Sequence, residues 1–282
     1  MDNASLKPYY DKDGFTLYCG DCFDAMKGLQ DSSIDVVITS PPYNTSRMGT
    51  FSNGDAEKDN YIHRYDVHID TKTKEEYVQW SVDLFKEFDR LLKKDRLALY
   101  NFGMGNDGHT EFGNEDWFVV VTEICRQTPF TVADLLFWKK KSVLPNNTSP
   151  NKATRIVEPV IVFCRDSEKM TFLCNKKESK VRDSGQTYYT PFYNIFEARN
   201  NDGSNNLNKA TYSTQFVDNL IDLYCPDDLK KDWTVLDPFS GTGTTGLSAM
   251  SHGMRYVGVE LSEKQCEYTV GRLSKGTELY LF

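Results

Sequence analysis

Residues 234–260 read TVLDPFSGTGTTGLSAMSHGMRYVGVE. The order of features is a strand, a glycine loop, a short helix closed by Gly253 and a second strand ending in Glu260. Gly241, Gly243 and Gly246 spell G-x-G-x-x-G. That string alone requires nothing more than close packing of a strand on a helix. Here a strand precedes it, a helix follows it, and an acid lies about 20 residues on, where it could hold a ribose diol. The context points to a nucleoside-bearing cofactor.

Chemistry around the glycines narrows the choice. A dinucleotide-binding fold brings a pyrophosphate to the N-terminus of the helix, where the Asp237 carboxylate would repel it. The Gly-Lys-Ser/Thr of a phosphate-cradling loop is missing. S-adenosylmethionine has an ammonium group, a ribose diol and an adenine but no phosphate, and so suits both Asp237 and Glu260. An NAD-dependent dehydrogenase stays open on the glycine spacing alone.

Seven short runs read as strands: FTLYCG near residue 15, DVVITS at 35, RLALYNF at 96, VADLLFW at 132, PVIVFCR at 159, TVLDPF at 234 and RYVGVE at 255. Helical patterns fall between several of them. From Thr73 a capping box with Glu76 opens a stripe of Tyr77, Leu84, Phe85, Phe88, Leu91 and Leu92. Phe216, Val217, Leu220, Ile221 and Tyr224 form another. Alternating strands and helices predict an α/β sheet, mostly parallel and covered on both faces. The 22 residues after Glu260 are too few to complete a doubly wound sheet. The N-terminal part of the chain is therefore expected to complete it, with the cofactor unit last in sequence and central in space.

A second stretch, DVVITSPPYNTSR at 35–47, begins as a buried strand and stops against two prolines. These remove two backbone donors and fix two φ angles, leaving the carbonyls near Ser40 and Pro41 free to face a ligand. Pro-Pro can equally be a plain strand terminator. Polar, irregular composition marks residues 44–72 and roughly 141–212, and loops of that length in a compact domain are usually functional or mobile.

With 282 residues, 39% hydrophobic and 13% aromatic, the chain can bury a sizeable core. Lacking an 18-residue apolar run or a signal-peptide layout, it is expected in the cytoplasm. Seven cysteines without framework spacing are expected as free thiols, Cys19 and Cys22 included, and neither they nor the four histidines form a metal-ligand pattern. The net charge of −8 is unevenly spread. Between Lys139 and Arg182 eleven Lys and Arg face four acids, a local +7 that leaves −15 elsewhere. Such segregation is either a solvated basic face or the footprint of a nucleic-acid-binding segment on an acidic body.

Taken together, LYCGDCFDAM, DVVITSPPYN, DLLFWKK, DPFSGTGTTG and YVGVELSEKQ resemble, in order, the motifs of the DNA amino-methyltransferases. The resemblance is to the permuted, beta class, whose catalytic motif precedes the cofactor motif, and it covers about two thirds of the chain. It implies a Rossmann-like seven-stranded methyltransferase sheet, circularly permuted so that the glycine loop is C-terminal, with a small irregular DNA-recognition insert. Residues 1–140 would form the catalytic half, 141–212 the target-recognition segment with a core strand near 159–165, and 213–282 the cofactor-binding half.

The same resemblance places Asp21 near the cofactor adenine, Glu260 on its ribose, and Asp237, Pro238, Phe239, Ser240, Gly241, Thr242, Gly243 and Thr244 around the methionine moiety. Ser40, Pro41, Pro42 and Tyr43 become catalytic, and Asn44, Trp138, Lys139, Lys141 and Arg155 contacts to base or DNA. The exocyclic amino nitrogen is a poor nucleophile because its lone pair is delocalised into the ring. Acceptors at Ser40 Oγ and the Pro41 carbonyl, at ~3 Å, would take its two N–H groups and aim the lone pair at the methyl group. Tyr43 would stack on a base rotated out of the duplex. C5 methylation would need a cysteine, and residues 39–45 contain none.

Ser40 favours N4-cytosine, since relatives acting on adenine usually carry Asp or Asn there; N6-adenine is the alternative product. The expected partner is double-stranded DNA with a specific short site, with no metal and no membrane. A second copy of the chain and a cognate restriction endonuclease are further candidate partners. A non-catalytic DNA-binding subunit is the competing class of function. Residues 44–72 are expected to order on DNA.

Overall fold

The computed structural model describes residues 6–44, 72–103, 116–143, 145, 147, 150–151, 153–203 and 211–279. The chain opens with β1 (Tyr10–Lys12), β2 (Phe15–Cys19), α1 (Cys22–Lys27) and β3 (Ile34–Thr39). Next come α2 (Lys74–Leu91), β4 (Leu92–Asn101), α3 (Asp116–Gln127), β5 (Phe130–Lys140) and β6 (Val157–Arg165). A small ribbon of β7 (Glu178–Val181) and β8 (Thr187–Tyr189) precedes β9 (Ile195–Ala198) and α4 (Thr214–Tyr224). The chain continues through β10 (Thr234–Asp237), α5 (Thr244–Ser251), β11 (Arg255–Glu260) and α6 (Glu263–Leu279).

Nine strands form one sheet in the order β1-β2-β11-β10-β3-β4-β6-β5-β9. The seven expected runs are β2, β3, β4, β5, β6, β10 and β11. The expectation of seven strands is corrected by two short edge strands, β1 and β9, whose three and four residues carry little apolar periodicity. From β2 to β4 neighbours pair in parallel, β6 runs antiparallel between β4 and β5, and β9 is parallel to β5. The last two strands of the chain thus sit in the middle of the sheet.

The central strands are apolar on both faces because helices cover both. Leu17, Val36, Ile38 and Leu99 pack with Val217, Leu220 and Ala249 from α4 and α5, while Val37, Leu236 and Val259 meet Met26, Phe85 and Ile124 from α1, α2 and α3. Burying each Val, Leu, Ile, Met or Phe among them is worth about 1.5–3 kcal/mol. One charge enters β3: Asp35, 1% exposed, is matched by Lys93 at 2.8 Å, Arg96 at 3.2 Å and the Thr234 N–H at 3.0 Å. Helix α2 starts at the Thr73–Glu76 capping box, and its predicted stripe is buried.

Register divides the functional loops between two edges of the sheet. Cys19, Thr39, Asn101, Lys140, Ala198, Asp237 and Glu260 end their strands at the C-terminal edge. Because β6 runs the other way, Val157 begins at that edge and Arg165 ends at the opposite one. The segment 141–212 therefore contributes both β6 and β9 to the main sheet. Its β7–β8 ribbon is rooted at the N-terminal edge, where the Leu173 N–H reaches the Asp95 carbonyl and Lys177 pairs with Asp227 at 2.6 Å.

Candidate active site

After β10 the chain turns through Gly241 (φ 54°) and Gly243 (φ 76°), left-handed values that favour glycine. Gly243 is the N-cap of α5. At Gly246 the constraint is space, since a Cβ there would stand 2.4 Å from Phe15 and 2.8 Å from Tyr256, so this glycine serves helix-on-sheet packing. The turn brings the Gly241 N–H to Glu260 Oε2 at 2.8 Å, while Glu260 Oε1 accepts from the Ser262 N–H at 2.9 Å. Two backbone donors thus aim the carboxylate, whose two oxygens together offer about four acceptor sites. Arg272 of α6 braces the loop from behind through the Thr242 carbonyl at 2.7 Å.

Between this loop and the ends of β2 and β3 lies a cavity that is open to solvent at its mouth. Of the residues expected at the cofactor, Asp21, Pro238, Phe239, Ser240, Gly241, Thr242, Thr244 and Glu260 line it, and Ser40 and Pro42 join them. Gly243 stands behind the wall. Sequence reasoning missed Trp80, Lys72, Thr211, Tyr212 and Gln265, which also line the cavity. Trp80 stacks on Tyr77 at 5.5 Å and meets Phe239 at 5.5 Å, giving the cavity an aromatic wall. Asp21 caps α1 by accepting from the Phe23 and Asp24 N–H groups at 2.9 and 3.3 Å.

Asp237 is a correction. Expected to meet the cofactor ammonium, it is 0% exposed and outside the cavity lining. Its Oδ1 accepts from Thr39 Oγ1 at 2.6 Å and the Phe239 N–H at 3.1 Å, and its Oδ2 from the Tyr212 hydroxyl at 3.3 Å. Burial holds this carboxyl above its usual range, an upward push that the bonds from Thr39, Thr245, Phe239 and Tyr212 offset only in part. The side chain holds the walls of the site together rather than facing a ligand.

The stretch after β3 is held from several sides. Tyr77 donates to the Pro42 carbonyl at 2.8 Å, and Tyr43 donates to Asn101 Oδ1 at 2.8 Å, whose amide in turn donates to the Pro159 carbonyl. Pro41 is buried; Ser40, Pro42 and Tyr43 are half-buried beside the cavity. Asn44, expected at DNA, is 6% exposed and in the left-handed region at φ 52°. Its amide donates to the Lys72 carbonyl at 2.7 Å and accepts the Lys72 N–H at 3.1 Å, clamping the chain on either side of residues 45–71. The expectation of ordering by DNA over 44–72 falls almost wholly outside the described residues.

Trp138 is likewise corrected. It is 3% exposed, its ring is 4.8 Å from that of Phe216, and its indole N–H donates to the Ala198 carbonyl at 3.1 Å. A buried, satisfied indole cannot stack on a base. Lys139 pairs with Glu197 at 2.9 Å and Lys140 with Glu158, whereas Lys141 is exposed and Arg155 half-buried at the C-terminal edge.

The lining suits a nucleoside more than a nucleotide: two carboxylates, Asp21 and Glu260, accompany aromatic rings and a glycine backbone, and the one lysine of the lining, Lys72, holds its ammonium over the Trp80 ring at 5.6 Å. Among the described residues no group of three or more His, Cys, Asp or Glu stands together as a metal site, and no helix is long and apolar enough to cross a membrane.

Comparison with known proteins agrees with this geometry. The family model N6_N4_Mtase, DNA methylase, matches residues 34–271. The type II methyltransferase M2.MboI of Moraxella bovis is 26% identical over 279 residues, covering 90% of this chain and 86% of its own. M.HinfI of Haemophilus influenzae, another type II methyltransferase, is 25% identical over 265 residues, with 92% and 68% covered. The solved PvuII DNA methyltransferase, cytosine-N4-specific, aligns with a TM-score of 0.70 at 20% identity over 94% of this chain and 88% of its own. The M1.HpyAVI–SAM complex aligns at 0.56 and 16% identity over 92% and 99%. The structural matches establish the α/β methyltransferase fold.

Proposed function

The chain belongs to the DNA methylase family, and from that premise we propose that it methylates N4 of cytosine at a specific short site in double-stranded DNA. The carrying observation is that Ser40 and Pro42 line the same cavity as Glu260 and the glycine loop. An acceptor for an amino group, Ser40 Oγ, and a seat for a nucleoside therefore share one space, with Pro41 directly beside Ser40 in the chain. The cofactor is S-adenosylmethionine, which supplies an electrophilic methyl group.

The chain's own residues do the rest. Glu260, aimed by the Gly241 and Ser262 N–H groups, holds a ribose diol. Trp80 and Phe239 offer ring faces for an adenine, with Asp21 at its edge. Ser40 Oγ and the Pro41 carbonyl accept the two amino hydrogens of a flipped base, and Tyr43 stacks on its ring. Fixing those hydrogens turns the nitrogen lone pair towards the methyl group.

The cavity also holds Cys22, which raises C5 methylation again. Burial first, and then the Asp21 carboxylate, push this thiol up to about 12. It stays protonated near neutral pH and is no nucleophile.

Ser40 is what supports cytosine over N6-adenine, through the association of serine before Pro-Pro-Tyr with relatives that methylate cytosine; its hydroxyl, one atom nearer the backbone than an Asp or Asn oxygen, draws the target nitrogen closer but does not by itself select the ring. The catalytic stretch follows β3 and the glycine loop follows β10, which is the permuted order. Target recognition falls to the C-terminal edge of the sheet, where β5 and β9 end and β6 begins. Nucleoside mass spectrometry of DNA treated with the purified chain and S-adenosylmethionine should show N4-methylcytosine. N6-methyladenine alone would overturn the base assignment, and no methylated base would favour a non-catalytic DNA-binding subunit.

A further inference from the structure

We propose that Tyr212 is a positioning residue for methyl transfer, acting through Asp237 to set the catalytic stretch against the cofactor. The inference rests on the reading of Ser40–Tyr43 as that stretch. Tyr212 lines the cavity, is 8% exposed overall, and packs its ring on Phe216 at 4.8 Å. Its hydroxyl lies 2.5 Å from Thr245 Oγ1 at the start of α5 and 3.3 Å from Asp237 Oδ2. The other carboxylate oxygen takes the Thr39 hydroxyl at 2.6 Å. Thr39 is the last residue of β3, and Ser40 follows it directly.

A continuous hydrogen-bonded path therefore runs from the cofactor wall, through one buried carboxylate, to the residue before Ser40. An ionised carboxylate in a dry interior accepts strongly and needs several donors to stay there. Burial and then the Asp237 charge push the Tyr212 hydroxyl well above its usual range, so it remains a donor. If that donor is lost, the carboxylate shifts towards Thr39, Thr245 and the Phe239 N–H, and the end of β3 shifts with it. Small displacements at a reacting centre cost rate more than binding. The ring of Tyr212 meets whatever fills the cavity while its hydroxyl holds the carboxylate, so one side chain links the cofactor's seat to the aim of Ser40.

The alternative is that these hydroxyls only stabilise the fold. Single-turnover rates of the full chain on DNA, with binding of S-adenosylmethionine and DNA measured separately, distinguish the two. Tyr212→Phe and Thr39→Val should each slow methyl transfer by about tenfold, the loss of one hydrogen bond made to a charged group. Affinity for both ligands should stay within about twofold, and Thr39→Ser, which keeps the hydroxyl, should restore the rate. The double variant should be little slower than either single one, since both act through Asp237. Wild-type rates per active site in Tyr212→Phe, or fully additive losses, would overturn the proposal. Should Tyr212→Phe fold poorly, the Thr39→Ser and Thr39→Val pair decides alone, and equal rates in those two would overturn it. Ser40→Ala run in parallel separates this failure from that of the parent reading, because full turnover in that variant would remove the catalytic stretch itself.

Discussion

The ring of Tyr43 lies directly on Gly103: a Cβ at position 103 would stand 2.2 Å from Tyr43 Cδ2. Gly103 follows the end of β4, and the Tyr43 hydroxyl is tied to Asn101 of the same strand. The tyrosine is thus held at its edge by a hydrogen bond and on one face by bare backbone. Gly103→Ala should displace the ring and cut turnover on DNA by tenfold or more, by analogy with other small misplacements at reacting centres. Binding of S-adenosylmethionine should not change by calorimetry, since neither Tyr43 nor Gly103 lines the proposed cofactor cavity. An alanine variant with wild-type kcat would show that the ring's position is immaterial.

Glu260 gives a second test. Glu260→Ala removes the proposed ribose acceptor and strands two backbone donors, Gly241 and Ser262. Each unsatisfied group costs about 1–3 kcal/mol if water cannot replace the partner. Cofactor affinity should fall by at least about tenfold, with DNA affinity nearly intact. Asp237→Ala should behave differently, because Asp237 never faces the cavity: its main loss should be in melting temperature and turnover. Calorimetric and thermal data showing the two variants alike would contradict that division.

Cysteine chemistry provides the pH test. Cys22 has the spacing of a reactive pair with Cys19, yet its folded thiol is pushed up to about 12 by burial. Thiolate should appear only as pH approaches that value, so alkylation of Cys22 should be slow from pH 7 to 9 and rise after denaturation. Peptide mass spectrometry after brief iodoacetamide treatment reads this directly. Rapid modification of Cys22 in the native protein at pH 8 would mean that its burial is not maintained.

How far the sequence spoke depends on the kind of signal. All seven predicted runs are strands, and both apolar stripes are helices, because burial on a periodic element leaves a periodic trace. The glycine loop and Glu260 were legible because φ above zero and a carboxylate at fixed spacing are local requirements. Trp80 was not, since one aromatic three residues after Tyr77 looks like any core side chain until the cavity behind it is known. Tyr212 precedes the Ser213 N-cap and carries no pattern at all. Asp237 and Trp138 misled for a shared reason: the sequence places a residue near a site but does not say on which side of its wall the side chain falls. The +7 count erred by treating neighbours in sequence as neighbours in space.

That last point yields a prediction about DNA. Because β6 reverses direction, the basic stretch from Lys139 to Arg182 begins at the C-terminal edge and crosses to the opposite one. Lys141 follows β5 and Arg155 precedes β6, both at the C-terminal edge, whereas Lys169 follows the end of β6 and Lys176 adjoins Asn175, which is bonded to the Leu223 carbonyl. A duplex that presents a flipped base to Ser40 must approach the first edge. Reversing Lys141 and Arg155 to Glu should weaken DNA binding by about tenfold or more and lower the salt slope by about 2, one per lost phosphate contact. Reversing Lys169 and Lys176 should change both by little, since those charges stand a full strand length away. Fluorescence anisotropy across a salt series compares the pairs on one duplex. Equal losses from the two pairs would mean that the duplex also reaches the N-terminal edge, and the assignment of recognition to the C-terminal edge would fall.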